Sequence, residues 1–241
     1  NITMRQTAKI IISKNTLQLL DFSSFIDFNN TLNTIKAEPF EFSQIQQLII
    51  SGSTIDNFAF INYFSSLQQL SLLACNSDKW SDLKGNRNVI SLRLHNLKDK
   101  KKYLSSIKFL LTFPNLEYLY VNMLGLDNFS ELIELKKLHT IFAQCRNEND
   151  IKSRFDFSAL EFVNNLKVVS IWMAVDRHRI PAESLVPILK NVSVSHIDVT
   201  QMYTTEEKKL KKLIEELNPN LLKTSLTDKE LQMINKHYFA W

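Results

Sequence analysis

Glycine is scarce. The 241 residues hold three, Gly52, Gly85 and Gly125, all isolated and none followed by a Lys-Ser/Thr pair, which excludes the glycine-rich loops that cradle phosphates and dinucleotides. Cysteine is scarcer still. Cys75 and Cys145 are the whole complement, and the five histidines (His95, His139, His178, His196, His237) show no His-Glu-x-x-His or Cys-x-x-Cys spacing, so neither a disulfide framework nor a structural zinc site is expected. Long apolar runs are missing as well. The longest uncharged stretch lies between Asp56 and Asp78 and is broken by Asn57, Asn62, Ser65, Gln68 and Gln69, too polar for a membrane span. Neither sign of charge dominates: 29 Lys+Arg against 25 Asp+Glu leave +4, which permits acidic partners without requiring them. No Pro/Gly/Ser-rich linker divides the chain, and 44% hydrophobic with 22% charged residues is the composition of a folded protein.

What is present is a leucine lattice. Its clearest copy is Leu67-Gln68-Gln69-Leu70-Ser71-Leu72-Leu73-Ala74-Cys75, with apolar residues at a first position, three on and five on, and Cys eight on. The same frame reads Leu17/Leu20/Phe22/Phe25, Ile45/Leu48/Ile50/Ser53, Val89/Leu92/Leu94/Leu97, Leu116/Leu119/Val121/Leu124, Leu138/Ile141/Ala143/Arg146, Leu166/Val169/Ile171/Ala174 and Val194/Ile197/Val199/Met202. Steps of 22 suit an extended or 3₁₀ return between strands, whereas steps of 27 and 28 leave room for a helix. The stripe Tyr103, Leu104, Ile107, Leu110, Leu111 predicts such a helix, stopped by Pro114. Shorter return helices are expected from Asp127 and from Ala182. Ser65-Ser66, Pro114-Asn115 and Asn164-Asn165 precede strands and are read as the turns, Asn replacing Gly. The repeated L-x-x-L-x-L-x-x-N/C pattern resembles the leucine-rich repeat superfamily over about Leu17 to Thr200.

That resemblance implies an α/β solenoid, with a curved parallel sheet of about eight strands and helices and loops on the convex side. Residues 1–203 are assigned to the solenoid with its N-terminal cap, Ile10-Ile11-Ile12 forming that cap or an extra edge strand. Residues 204–241 are assigned to a helical C-terminal cap. Thr204 is read as the N-cap of its first helix, with Glu206 and Glu207 in the first turn and Pro219 ending it. The capping box Thr227-x-x-Glu230 opens a second, carrying Leu231, Ile234 and Tyr238 on one face. Cys75, at the N/C position, should point inward as a buried structural thiol. It lies three repeats from Cys145, roughly 14 Å at ~4.8 Å per strand, so the two should not be bridged.

Residues between the buried leucines point the other way and line the concave face. There the middle and late repeats concentrate Arg93, His95, Tyr118, Tyr120, Asn122, Phe142, Gln144, Trp172, His196 and Asp198, aromatic and cationic groups of the kind that anchor protein interfaces. These ten are the candidate partner-binding residues, exposed on a rigid sheet unless a loop or the C-terminal segment folds inward over them. Ser170, His196 and Asp198 could be combined arithmetically into a triad, but nothing supplies an oxyanion hole, and a solvated polar patch is the better reading. The function expected is a non-enzymatic protein-protein interaction module, a scaffold or adaptor with a protein partner on its concave face. No catalytic residue, metal or cofactor is assigned. Irregular 22–28-residue spacing also resembles the substrate receptors of ubiquitin ligases, although no F-box is visible in residues 1–45. Nucleic acid ranks below both, because Arg93 is the only cation expected on that face. Extracellular repeats of this superfamily usually carry cysteine-stapled caps, and four Asn-x-Ser/Thr sequons arise readily by chance in an Asn-rich chain. An intracellular, cytoplasmic protein is therefore expected.

Overall fold

The computed structural model describes residues 9–22, 41–122, 124–145, 156–173, 180–200 and 202–238, apart from the side chains of Cys145, Met173 and Tyr238. Eleven strands lie among them: β1 Lys9–Ser13, β2 Thr16–Leu20, β3 Gln47–Ser51, β4 Gln69–Leu73, β5 Ser91–His95, β6 Lys98–Asp99, β7 Lys102–Tyr103, β8 Tyr118–Asn122, β9 Thr140–Cys145, β10 Val168–Met173 and β11 His196–Thr200. Nine make one sheet in the order β1-β2-β3-β4-β5-β8-β9-β10-β11. From β2 onward every pair is parallel, and β1 adds an antiparallel edge through the Lys14-Asn15 turn. The eight parallel strands are the eight repeats. Ile10-Ile11-Ile12 form the extra edge strand.

Register follows the leucine frame. Leu48, Leu70, Leu92, Leu119, Ile141, Val169 and Ile197 stand in one row, and Ile50, Leu72, Leu94, Val121, Ala143, Ile171 and Val199 in the next. Leu70, Leu72, Leu92, Leu94, Leu119, Val121, Val169 and Ile171 are all buried. Each contributes about 1.5–3 kcal/mol by leaving water, and because every repeat supplies the same two positions the core is continuous. The first repeat departs from its expected frame. Leu17 pairs with Leu48 and Leu19 with Ile50, and both are buried while Leu20 is not. The Leu17/Leu20/Phe22 reading is thus displaced by three residues, because Leu17 and Leu20 also satisfy the three-residue leucine spacing.

The returns are tighter than the long steps suggested. Lys101–Leu111 forms no α-helix; β6 and β7 make a small antiparallel hairpin and Lys108–Thr112 a 3₁₀ turn. Further 3₁₀ turns occupy Ala59–Tyr63, Trp80–Asp82, Ser130–Glu134, Ser158–Phe162 and Ala182–Leu185, and only the last continues into an α-helix, α1 (Val186–Lys190). Short polar side chains start several of these turns. Asn57, Asn128 and Asp156 each accept the backbone N–H two residues on, a geometry that competes with a regular helical first turn. Buried Phe60, Phe113 and Phe129 then fill the space behind the sheet.

The left-handed turns fall after the strands rather than before them. Asp21, Gly52, Ala74 and Asn96, one residue past β2, β3, β4 and β5, all have φ between +51° and +61°. Their N–H groups donate to Ser51, Leu73, His95 and Asn122 in the next repeat at 2.8–2.9 Å. The asparagines before the strands work as rungs instead: Asn88 donates to the Ser65 carbonyl at 2.6 Å and Asn115 to that of Arg87 at 2.7 Å. At the N/C position, Ser53 accepts from the Phe22 N–H, and the Cys75 thiol donates to the Ile50 and Leu73 carbonyls. Burial pushes the Cys75 pKa up to about 12, against the smaller opposing effect of its backbone hydrogen bonds. The thiol is therefore structural. The side chain of Cys145 lies outside the described residues, while its strand β9 is three steps from β4 in the sheet.

After β11 come α2 (Thr204–Leu217) and α3 (Asp228–Tyr238). The N-cap of α2 is Tyr203, with no side-chain cap, so Thr204 is its first helical residue; Glu206 and Glu207 do occupy the first turn. Glu206 accepts the Ala182 N–H at 2.9 Å, and Asn218 donates to the Val194 carbonyl at 3.3 Å. These bonds fasten α2 onto the last repeat, beside α1. Helix α3 opens with a complete capping box: Glu230 accepts the Thr227 N–H at 2.8 Å, and the Glu230 N–H donates to the Thr227 hydroxyl at 3.2 Å.

Candidate concave-face interaction site

In-register parallel strands set equivalent side chains in rows across the sheet, about 4.8 Å apart. On the face opposite the leucines, one row runs Arg93, Tyr120, Phe142, Ser170, Asp198 and a second runs His95, Asn122, Gln144, Trp172. Tyr118 and His196 lie in a third, separated by Thr140 and Val168. The first eight candidate residues are therefore contiguous across β5, β8, β9 and β10, and His196 and Asp198 extend the face onto β11.

The rings stack on one another. Tyr120 and Phe142 are parallel with centroids 4.8 Å apart, Phe142 meets Trp172 edge-on at 4.8 Å, and the Arg93 guanidinium sits 4.8 Å from the Tyr120 centroid. A hydrogen-bonded chain flanks them: Asn122 donates to His95 Nδ1 at 2.7 Å and to the Tyr120 hydroxyl at 3.3 Å, and that hydroxyl donates to Gln144 at 3.5 Å. Burial lowers the His95 pKa, with the neighbouring Arg93 charge adding to the effect. The Arg93 pKa is lowered by burial and partly restored by Tyr120, and a guanidinium stays a cation at neutral pH regardless.

Exposure is where the face differs from expectation. Arg93, Tyr118, Tyr120, Asn122 and Phe142 are buried, His95, Gln144, Trp172 and His196 are half-buried, and Asp198 is exposed. Large rings at 4.8 Å spacing shield each other, and α3 lies over them. Met233 and Ile234 pack on the Tyr118/Tyr120/Phe142 cluster. The His237 imidazole stacks on Tyr118 at a centroid distance of 4.1 Å, and its Nδ1 accepts from Gln69 Nε2 at 3.1 Å. Burial, then the charges of Lys236 and His139, lower the His237 pKa to about 4. Towards the N-terminal end of α3 a cavity of about 530 Å³ opens between helix and sheet, lined by Tyr118, His139, Lys167, Thr227, Glu230 and Met233. The Tyr118 hydroxyl is raised by burial and then by Glu117 and Glu230.

Met233, His237, Gln69 and His139 were not among the candidate residues. The usable signal was the Met233/Ile234/His237 spacing in a capped helix; Leu231, read as sharing one face with Ile234 and Tyr238, is 44% exposed. Residues 176–179, the loop under which Trp172 could tuck as the alternative to exposure, lie outside the described residues. Ser170 donates directly to Asp198 at 3.2 Å, and His196 stands opposite Val168 rather than between them, an arrangement that relays no proton from serine to histidine. At the Asn191 sequon the side chain is buried and donates to the Leu160 and Val163 carbonyls, a structural use incompatible with a glycan. Among the described residues no helix is long and apolar enough to cross a membrane.

Strands in this register, with a two-position buried frame, left-handed residues closing four of the strands and 3₁₀ returns, define a leucine-rich repeat solenoid. Two internalins from Listeria monocytogenes are similar in structure. One (inlF) is 16% identical with a TM-score of 0.46, the match covering 83% of this chain and 65% of that one. Internalin C2 is 19% identical with a TM-score of 0.42, covering 77% and 80%. This chain therefore spans 65% of the length of the first. No family model and no curated protein matches the sequence.

Proposed function

We propose that this chain is a non-enzymatic protein-interaction module whose partner binds the concave face over β5, β8, β9 and β10. The observation that carries this reading is the unbroken Arg93-Tyr120-Phe142-Trp172 array, held by in-register strands and flanked by the His95-Asn122-Gln144 polar chain. Aromatic and Arg side chains on a rigid support provide large contact area at small entropic cost, which is how interface anchors work. A protein partner fits better than nucleic acid, since the Arg93 guanidinium is stacked on the Tyr120 ring and buried, and so offers no exposed cationic track. The same reading makes residues 1–203 the solenoid and residues 204–241 its helical C-terminal part, in an intracellular setting where Cys75 stays reduced.

The test is co-purification from the source cells with wild type, Tyr120→Ala/Phe142→Ala and Gln47→Ala. A partner kept by wild type and Gln47→Ala but lost by the aromatic pair supports the proposal. Equal recovery of every partner by all three removes it.

A further inference from the structure

The two C-terminal helices are attached very differently. Helix α2 is joined to the last repeat by hydrogen bonds between the Glu206 and Asn218 side chains and the Ala182 and Val194 backbone, and packs beside α1. Helix α3 reaches across the open face instead and seats Met233, Ile234 and His237. Most of its other residues face solvent, and the connection from Lys223 to Thr227 is largely exposed. Its capping box satisfies N-terminal donors of α3 from within the segment itself, while an 11-residue helix takes most of its order from the surface on which it packs.

The fit of α3 is incomplete. Gln69 Nε2 donates to His237 Nδ1, which places the imidazole proton on Nε2, and that buried atom has no hydrogen-bond partner among the described residues; neither do buried Trp172 Nε1 and Asn122 Oδ1 in the aromatic array. Buried polar atoms left unmatched oppose docking. A helix tethered by five residues nevertheless occupies its site at an effective concentration in the millimolar range, so modest complementarity suffices in cis.

We propose that this face is a helix-binding groove which the chain fills with α3, and that the external partner presents an amphipathic helix displacing it. Such a helix would carry adjacent aliphatic residues over Tyr118, Tyr120 and Phe142, an aromatic or imidazole ring one turn on against Tyr118, and an acceptor within reach of Trp172 Nε1. The inference rests on the concave-face reading and adds the partner's class and the competitor it meets.

The probe is a fluorescein-labelled synthetic peptide of residues 225–238, titrated by anisotropy against the full chain. Wild type should bind it weakly, and Met233→Asp/Ile234→Asp, which undocks the tethered helix, at least tenfold more tightly. Phe142→Ala in the undocked background should abolish binding. In ¹⁵N-labelled wild type, saturating unlabelled peptide should move the α3 amide resonances to the positions they hold in the undocked variant, a readout that needs no substitution. Equal affinity in both proteins, α3 resonances unmoved at saturation, or binding that survives Phe142→Ala would overturn the proposal. So would a doubled mass in light scattering that Ile234→Asp abolishes, which assigns the groove to α3 of a second copy. A cellular partner lost with Tyr120→Ala/Phe142→Ala but indifferent to Ile234→Asp overturns this inference alone. Peptide binding as described, with no partner sensitive to the aromatic pair, overturns the broader function alone.

Discussion

Leu119 and Tyr120 are neighbours in β8 and both are buried, at 0% and 9% exposure, yet opposite kinds of neighbour cover them. Leu119 is enclosed by Leu92 and Ile141 in adjacent repeats and by the return segments behind the sheet. Tyr120 is enclosed by Arg93 and Phe142 along its row, with Met233 and Ile234 of α3 on the same cluster. Burial of the first kind recurs with every repeat and is local. Burial of the second kind depends on a helix more than a hundred residues further along the chain, so the two sides of one strand should respond differently to damage.

Leu119→Ala should have the largest effect. It leaves a cavity in the continuous core and should lower global stability by ~3 kcal/mol, read from the denaturant midpoint. Phe142→Ala should cost about 2 kcal/mol or less globally, because its space opens towards α3 rather than into a sealed core, and hydrogen exchange should show residues 228–238 losing protection first. If Phe142→Ala unfolds the solenoid as thoroughly as Leu119→Ala, the two faces are energetically one and the contrast fails.

The strand-end turns sharpen the local half of the comparison. Gly52→Ala should cost about 1 kcal/mol, since φ is +61° there and the new Cβ would crowd the Asp21 carboxylate. Ala74→Gly, at the equivalent turn with φ +51°, should gain a fraction of that. Thermal melts of the pair should move in opposite directions, and equal shifts would show that the turns are not equivalent. The smallest effect on global stability belongs to Thr227→Ala, which removes the capping box and should cost ~1 kcal/mol within α3 alone. Exchange in α3 should rise while the solenoid midpoint stays put.

The sheet was legible because a buried position every second residue, repeated in eight copies, specifies register many times over. The first repeat was misplaced because Leu17, Leu19 and Leu20 offer two frames, and only pairing with Leu48 chooses between them. The returns were misread as helices because Tyr103, Leu104, Ile107 and Leu110 match a helical period, whereas the backbone spends Lys98–Tyr103 on a hairpin. Side-chain direction on the concave face followed from alternation along each strand. Its coverage did not, because no local pattern tells a helix whether to seal an end or cross a sheet.

The most direct test of α3 lying on this face is an NMR titration of the His237 imidazole in the intact chain. Docked against Tyr118 it should titrate near its lowered value of about 4 and carry its proton on Nε2. Undocked it returns to an ordinary value near 6.5. A group whose pKa falls on docking favours the docked state when neutral, so α3 should be fully held above pH 6.5 and progressively loosened as pH falls from 6.5 towards 4. His139, also lowered by burial, acts in the same direction, while Glu117 and Glu230 oppose it. A His237 midpoint near 4, with α3 amide protection declining across that window, is the predicted result. A midpoint at 6.5 with α3 protection unchanged through it would contradict the account.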